Sequence, residues 1–229
     1  MRKVLLVIPF FAIIFSTGVF AQSAIDLDKI KLVTQDTTNE YAYATLVEEF
    51  LKNPESFSID KGSYIYYGQL YSKGYRIFNL SEDRTKFDKF SNRQNWKKAL
   101  PYGEKLLIEN PVDIEILRGM RFGYIKDRQL ELAKNLKIRI GVLRNVILAS
   151  GDGNTLESPY KVVAVSDEYA IMNIEGIEFI TRESQMRANS VVDIWSVKIK
   201  GERKRKNMYF EVLRNMSGLP GLKKDVLNP

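Results

Sequence analysis

The chain has 229 residues, with 35 Lys and Arg against 28 Asp and Glu, and it contains neither His nor Cys. The absence of Cys excludes a thiol nucleophile, a disulfide framework and a thiolate metal site. The absence of His excludes the Ser-His-Asp device and imidazole ligation of zinc, copper or haem. A hydrophobic content of 45% is typical of a globular protein.

The first 21 residues have the pattern of a secretory signal peptide. A basic start at residues 1–3 precedes the apolar run Val4–Phe15, and small residues follow at Val19 and Ala21. We therefore predict cleavage between Ala21 and Gln22. The apolar run is too short to span a bilayer comfortably, and no Cys follows it to carry a lipid anchor. We expect a soluble protein in the periplasm or outside the cell, not a lipoprotein, with no transmembrane segment after cleavage.

Residues 22–148 are predicted to form a helical region. An amphipathic stretch around Leu46 and Phe50 should end at Asn53-Pro54. The next segment carries four tyrosines at three- and four-residue steps, which places them on one face of a helix. These tyrosines are Tyr64, Tyr67, Tyr71 and Tyr75.

A 34-residue period follows in the same region. Three residues of one segment are matched by three residues of the next, namely Trp96, Ala99 and Leu106 by Leu130, Ala133 and Ile140. Pro111 stands where one helix pair would turn into the next. A helix–turn–helix unit of this length resembles a tetratricopeptide repeat, in which a small residue such as Ala lets paired helices approach closely. An ordinary antiparallel helical hairpin also fits so short a pattern.

Residues 149–216 are predicted to be β-rich, and residues 217–229 to form a flexible tail. Four candidate strands are Tyr160–Val165, Glu178–Glu183, Val191–Lys200 and Met208–Leu213. The segment Ser166–Gly176 fits either a helix or a strand. Helices followed by strands indicate an α+β fold, with a helical layer of tetratricopeptide-like pairs before a small, mainly antiparallel sheet.

Several segments together resemble a known family. They are Tyr64–Gly68, Asn95–Pro111, Ser150–Gly153, Tyr160–Val165, Asp167–Tyr169 and Met208–Val212. They are similar to a family of exported bacterial proteins, found mainly in Bacteroidetes, that is described as a domain of unknown function. The resemblance implies export and the same order of regions, and it supplies no catalytic or ligand-binding residue.

Two surfaces are candidates for binding. Tyr64, Tyr67 and Tyr71 present aromatic faces that suit sugar rings or peptide side chains, although core packing explains such a row as well. The hairpin residues Arg203, Lys204 and Arg205 would meet an anionic surface or an acidic partner, although a solvated tip that protects a sheet edge has the same composition.

Carboxylates are the remaining chemical candidates. Asp193 is flanked by apolar residues in a predicted strand, and Asp167-Glu168 is an adjacent pair whose side chains should point in different directions. Neither pattern identifies a catalytic residue, and we assign no metal ligand and no cofactor.

The sequence therefore favours a non-enzymatic binding or scaffolding protein. Its partner is expected to be an unidentified protein or glycan of the cell envelope, and not a nucleic acid. Two alternatives stay open. One is a hydrolase of carbohydrate or peptide that uses Asp193 or Glu168. The other is a carrier that holds an apolar ligand between the helical layer and the sheet.

Overall fold

The computed structural model describes residues 25–73, 75, 81–187, 190–202 and 204–213. The α-helices are α1 (Leu27–Gln35), α2 (Tyr43–Lys52), α3 (Ile59–Gly68), α4 (Glu82–Asn92), α5 (Trp96–Glu109), α6 (Ile114–Lys126), α7 (Leu130–Ala149) and α8 (Val165–Ile174). The strands are β1 (Tyr160–Val162), β2 (Ile177–Met186), β3 (Ser190–Ile199) and β4 (Lys206–Leu213). The predicted α+β class, with N-terminal helices followed by a small and mainly antiparallel sheet, is confirmed.

Two sequence predictions concern residues that the structure does not describe. The predicted signal peptide, residues 1–21, and the predicted tail, residues 217–229, lie outside the described ranges. The segment Ser166–Gly176, which fits helix or strand by its sequence, is mostly helical and contributes to α8. Among the helices that are described, none combines the length and the apolar character needed to span a bilayer.

Short polar residues fix the starts of four helices. The side chains of Asp26, Ser58, Ser81 and Asp113 each accept a hydrogen bond from the backbone N–H three residues later, at 2.9 to 3.2 Å. Each bond satisfies one of the donors that the first turn of a helix leaves unpaired. The starts of α1, α3, α4 and α6 are therefore encoded locally.

The 34-residue period has a counterpart in the backbone. Gln94, between α4 and α5, and Arg128, between α6 and α7, lie 34 residues apart and have φ angles of 53° and 62°. At both turns the following residue donates its backbone N–H to the carbonyl oxygen five residues earlier, at 2.9 and 2.8 Å. The pairs α4–α5 and α6–α7 are thus joined by the same left-handed turn, and both pairs pack closely.

Small residues allow these helices to approach one another. Ala99 and Ala133 are buried, at the positions that the sequence pattern selects. The tight crossing of α5 and α6 lies at a residue outside that pattern, Gly103. A Cβ added there would lie 2.0 Å from Sδ of Met120 and 2.8 Å from Cε2 of Phe87. The helix pairs therefore depend on glycine as well as alanine at their contacts.

The sheet has the strand order β1-β4-β3-β2. Strand β1 is parallel to β4, whereas the other two pairs are antiparallel. On β3, Asp193 lies opposite Ser184 of β2 and Phe210 of β4. Because side chains alternate along a strand, Asp193 and Trp195 lie on the same face of the sheet. That face packs against α8, since the Trp195 indole N–H donates to a carboxylate oxygen of Glu168 in α8.

Helix α3 joins the helical part to the sheet. The fully buried Tyr66 donates its hydroxyl hydrogen to Oδ2 of Asp167 at 2.7 Å and accepts the backbone N–H of Val163 at 3.2 Å. The hydroxyl of Tyr67 donates to the carbonyl oxygen of Lys161 at 3.1 Å. These bonds satisfy polar groups that would otherwise be costly to bury, so α3, β1 and α8 form one core.

Candidate functional site

The predicted tyrosine row is divided between the core and the surface. Tyr67 is fully buried, which leaves no ring surface for a ligand. Tyr64 is half-buried and stacks on Tyr41 with ring centroids 5.0 Å apart. Tyr71 lies in a 3-10 turn after α3, where its hydroxyl donates to the carbonyl oxygen of Leu27 at 3.3 Å. The row therefore does not form one binding face, and a binding role for Tyr64 and Tyr71 stays a prediction.

The predicted basic hairpin connects β3 to β4. Lys204 and Arg205 are exposed there, whereas Arg203 lies outside the described residues. Glu202 lies 4.0 Å from Lys206 in the same hairpin. A binding role for Lys204 and Arg205 stays a prediction.

The candidate carboxylates lie between α8 and the sheet. Asp193 is 2% exposed, accepts the hydroxyl of Ser184, and has Nη1 of Arg182 at 3.5 Å. Glu168 is 0% exposed and accepts the indole N–H of Trp195 at 2.7 Å. Burial raises the pKa of Glu168 to about 9, and the Asp193 carboxylate adds to this effect against the indole hydrogen bond. At neutral pH the Glu168 carboxyl therefore stays protonated and uncharged.

This environment suits a structural hydrogen-bond network. A glycosidase places its two carboxyl groups on either side of a sugar that must enter from solvent. Glu168 and Asp193 are both closed off from solvent, and aromatic rings pack beside them, with Tyr169 and Trp195 in edge-to-face contact at 5.0 Å. Asp193, which its apolar flanks single out in the sequence, is buried, and its surroundings give no entry for a substrate.

A cleft lies beside the C-terminal end of α8. Its volume is about 730 Å³, and its walls come from α4, the start of α5, α6, α7 and the end of α8. A volume of this size is typical of sites that hold a ligand or a peptide segment. Pairs of helices joined by the repeated turn thus form most of its walls.

Three cations line this cleft without a counterion. Arg118 and Arg121 of α6 are half-buried, and Lys137 of α7 is exposed. None of the three forms an ion pair with any residue that the structure describes. Burial lowers the pKa of the Arg118 guanidinium, against the raising effect of Glu115, but a guanidinium remains charged at neutral pH. Arg118 and Arg121 are partly removed from water, Lys137 is exposed, and none of the three has an ion-pair partner among the described residues, so together they favour an anionic ligand.

The acidic groups at the cleft already form ion pairs. Arg84 of α4 pairs with Asp88, at 2.9 Å, and with Glu115. Burial acts to lower the pKa of Arg84, but the nearby carboxylates of Glu115 and Asp113 outweigh it and hold that pKa above its ordinary value. In addition, Arg144 at the cleft wall donates to Glu175. After these pairs are formed, the charge left in the cleft is positive.

Aromatic rings and unpaired donors complete the cleft. Phe122 is 46% exposed and makes an edge-to-face contact with Trp96, with ring centroids 5.2 Å apart. The indole Nε1 of Trp96 and the Nε of Arg121 are buried and have no hydrogen-bond acceptor among the described residues. A buried donor without an acceptor costs about 1–3 kcal/mol. Both residues line the cleft, but the two donor atoms themselves are closed off from solvent.

The sequence contains a signal for this cleft that our reasoning from sequence missed. Arg118, Arg121 and Phe122 are spaced i, i+3 and i+4 on α6, and Lys137, Gly141 and Arg144 are spaced i, i+4 and i+7 on α7. Such spacings place the side chains of each helix on one face. Because α6 packs against α7, the two faces lie side by side and combine their charges. The described residues hold no group of three or more acidic side chains that could bind a metal ion.

One protein-family model matches most of the chain. Residues 28–218 match the model of a family described as a domain of unknown function (DUF4919). A search of curated proteins returns no match, and a search of solved structures returns none either. The match spans the helical part, the sheet and the cleft.

Proposed function

The chain belongs to the family described as a domain of unknown function (DUF4919), and we propose that it is a non-enzymatic protein that binds a segment of a partner in the cleft between α4 and α8. The observation that carries this proposal is the set of three cations, Arg118, Arg121 and Lys137, which line the cleft without counterions among the described residues. Arg118 and Arg121 are half-buried, and a partly buried charge without a partner is costly, so an anionic ligand in the cleft would offset that cost.

The helical architecture supports this proposal. Tetratricopeptide-like pairs stack so that successive helices line a groove, and such grooves commonly hold peptides. The equivalent left-handed turns at Gln94 and Arg128, 34 residues apart, support a repeat of this kind. The cleft lies along the helices that these turns connect.

The proposed function places the protein outside the cytoplasm. The basic start, the apolar run and the small residues that end at Ala21 support export through a signal peptide. The partner is then a component of the cell envelope or its surroundings. A protein segment in the cleft is favoured over a sugar stacked on the tyrosine row, because Tyr67 of that row is buried.

The experiment compares two double variants in a cross-linked capture from the native envelope fraction. In the tagged full-length chain, Arg118→Gln with Lys137→Gln removes two cleft charges, and Lys204→Gln with Arg205→Gln removes two charges from the exposed hairpin. We expect the cleft variant to lose the partner and the hairpin variant to keep it. Loss in the hairpin variant alone would move the site to the hairpin and contradict the proposal.

A second candidate function has a specific observation in its favour. A cavity of about 380 Å³ lies between the end of α7, α8 and the sheet, where apolar side chains such as Ile171 and Met208 line it. This position fits a carrier of an apolar ligand, although Glu175 and Lys206 also line the cavity. Native mass spectrometry of protein purified from its host tests the idea, and a bare polypeptide mass would contradict it.

A further inference from the structure

We infer that the partner segment is an acidic peptide in extended conformation, with a carboxylate and an apolar side chain two residues apart. This inference rests on the proposed function, because it specifies what the same cleft binds. Its starting point is the combination of cations and an exposed aromatic ring on one helix face. Arg118 and Phe122 lie one turn apart on α6, which corresponds to about 6 Å along the helix axis.

The spacing matches a peptide backbone. In an extended chain each residue advances about 3.3 Å, so residues i and i+2 project to the same side about 7 Å apart. A carboxylate at position i would pair with Arg118 while an apolar ring at i+2 packs on Phe122. The second cation on α6, Arg121, and Lys137 on α7 are then available to the next acidic side chain.

Two unpaired donors in the cleft wall would find acceptors in a bound peptide if the side chains of Trp96 and Arg121 shift to expose them. Nε1 of Trp96 and Nε of Arg121 are buried hydrogen-bond donors without acceptors among the described residues, and both residues line the cleft. A peptide carries an acceptor in every carbonyl group, and an acidic peptide adds carboxylate oxygens. Asn173 lies at the same wall, where its Nδ2 donates to the carbonyl oxygen of Tyr169 and its amide oxygen can accept from the backbone of a bound peptide.

The cleft suits a carboxylate ligand better than a phosphate cluster. Asp88 and Glu115 line one side of it and share the single cation of Arg84, so the negative charge that remains would repel a dianion more strongly than a single carboxylate. Two of the three unpaired cations come from α6 and one comes from α7. Extended binding with singly charged groups fits this distribution.

Segments of this chain are poor occupants on grounds of charge. Residues 214–229 contain Arg214, Lys223 and Lys224 against one acidic side chain, Asp225. A second copy of the chain carries the same formal net charge of +7 and would be repelled at long range. A separate acidic partner is therefore the occupant that charge complementarity favours.

The test uses fluorescence anisotropy of labelled synthetic peptides with the full-length protein. The main probe alternates Glu and Phe at positions i and i+2 with neutral spacers. Three control probes replace Glu by Gln, Glu by Lys, or Phe by Ser. We expect the main probe to bind, each control to bind at least about tenfold more weakly, and the affinity to fall as salt is raised.

Two protein variants assign the binding to the cleft. Arg118→Gln with Lys137→Gln should weaken the main probe at least about tenfold, while Lys198→Gln with Lys200→Gln, which removes two exposed charges outside the cleft, should leave it unchanged. Circular dichroism and thermal melting check that both variants are folded. Equal binding of the Gln and Glu probes, or an unchanged affinity in the cleft variant, would overturn the inference.

The same assay also tests other anionic ligands, used as competitors. Displacement of the probe by inorganic phosphate at lower concentration than by unlabelled peptide would overturn the choice of peptide, and so would tighter binding to anionic phospholipid vesicles. If envelope capture depends on the cleft but no acidic probe binds, this inference fails and the proposed function stands. If capture does not depend on the cleft, the proposed function fails as well.

Discussion

Replacing Asp167 with Asn should change how the stability of the protein depends on pH. The Asp167 carboxyl is buried between α3 and α8, where Oδ2 accepts the hydroxyl hydrogen of Tyr66 at 2.7 Å. Burial raises the pKa of Asp167 to about 8, against the lowering effect of the Tyr66 hydrogen bond, and the charges of Asp113 and Glu115 raise it further. Asn has the same shape and keeps an oxygen that can accept the Tyr66 hydroxyl.

The size of this pH effect on stability follows from the difference between the pKa values of Asp167 in the folded and the unfolded chain. Because the folded pKa lies above the ordinary value of 3.8, the folded protein holds a proton that the unfolded chain releases in the interval between them. This stabilisation is fully present below about pH 4 and is lost as the pH rises toward about 8. The free energy of unfolding should fall by about 1.4 kcal/mol per pH unit, or about 3 kcal/mol between about pH 5 and pH 7.

Urea unfolding at a series of pH values measures this slope. In the Asp167→Asn variant the slope should be smaller by about 1.4 kcal/mol per pH unit, with a gain in stability at neutral pH. Adding Glu168→Gln should reduce the slope again, since burial raises the pKa of Glu168 to about 9. The control is Glu183→Gln, which removes an exposed carboxylate of β2. An unchanged slope in the Asp167 variant would refute the reasoning.

Two further predictions concern the helix pairs, and both are measured by chemical unfolding. Gly103→Ala should destabilise the protein by about 1–3 kcal/mol, because the new Cβ would lie 2.0 Å from Sδ of Met120. Its matched control, Gly141→Ala, adds a Cβ with nothing within 4 Å and should stabilise α7 by about 0.5–1 kcal/mol. Equal effects at both positions would contradict the tight crossing at Gly103. Arg128→Gly should stabilise the protein by about 0.5–1 kcal/mol, because Arg128 has a φ of 62°, whereas Arg128→Ala should bring no such gain. A loss of stability in the Gly variant would show that the Arg128 side chain stabilises the protein by more than its positive φ angle costs.

Local patterns predicted much of the fold. Runs of β-branched and aromatic residues located β3 and β4, and apolar residues at helical spacing located α5 to α7. The segment that forms α8 was ambiguous, because buried residues such as Asp167, Glu168 and Ile171 follow one another and mask the helical period. A helix that is buried against both the sheet and α6 has no exposed face to reveal it.

Local sequence patterns could not predict the candidate site, because distant parts of the chain form it. Tyr66 was outside the predicted row, yet it is the tyrosine that joins α3 to α8, since its partner Asp167 is 101 residues away. Likewise, Arg121 and Lys137 are brought to one cleft only by the packing of α6 on α7. Helical spacing places each cation on a face, but it does not show that Asp88 and Glu115 are paired with Arg84. The positive charge of the cleft follows from those pairs.

Photo-cross-linking from inside the cleft tests the central claim most directly. Phe122 is 46% exposed at the cleft, and Phe179 is 40% exposed on β2, so the two are matched in chemistry and accessibility. Each is replaced in turn by a photoreactive phenylalanine analogue in the full-length chain, and the host cells are irradiated. We predict a cross-linked partner from position 122 whose yield falls when Arg118 and Lys137 are changed to Gln, and no such product from position 179. Cross-linking from position 179 alone, or a yield at 122 that does not depend on the two cations, would contradict binding in the cleft.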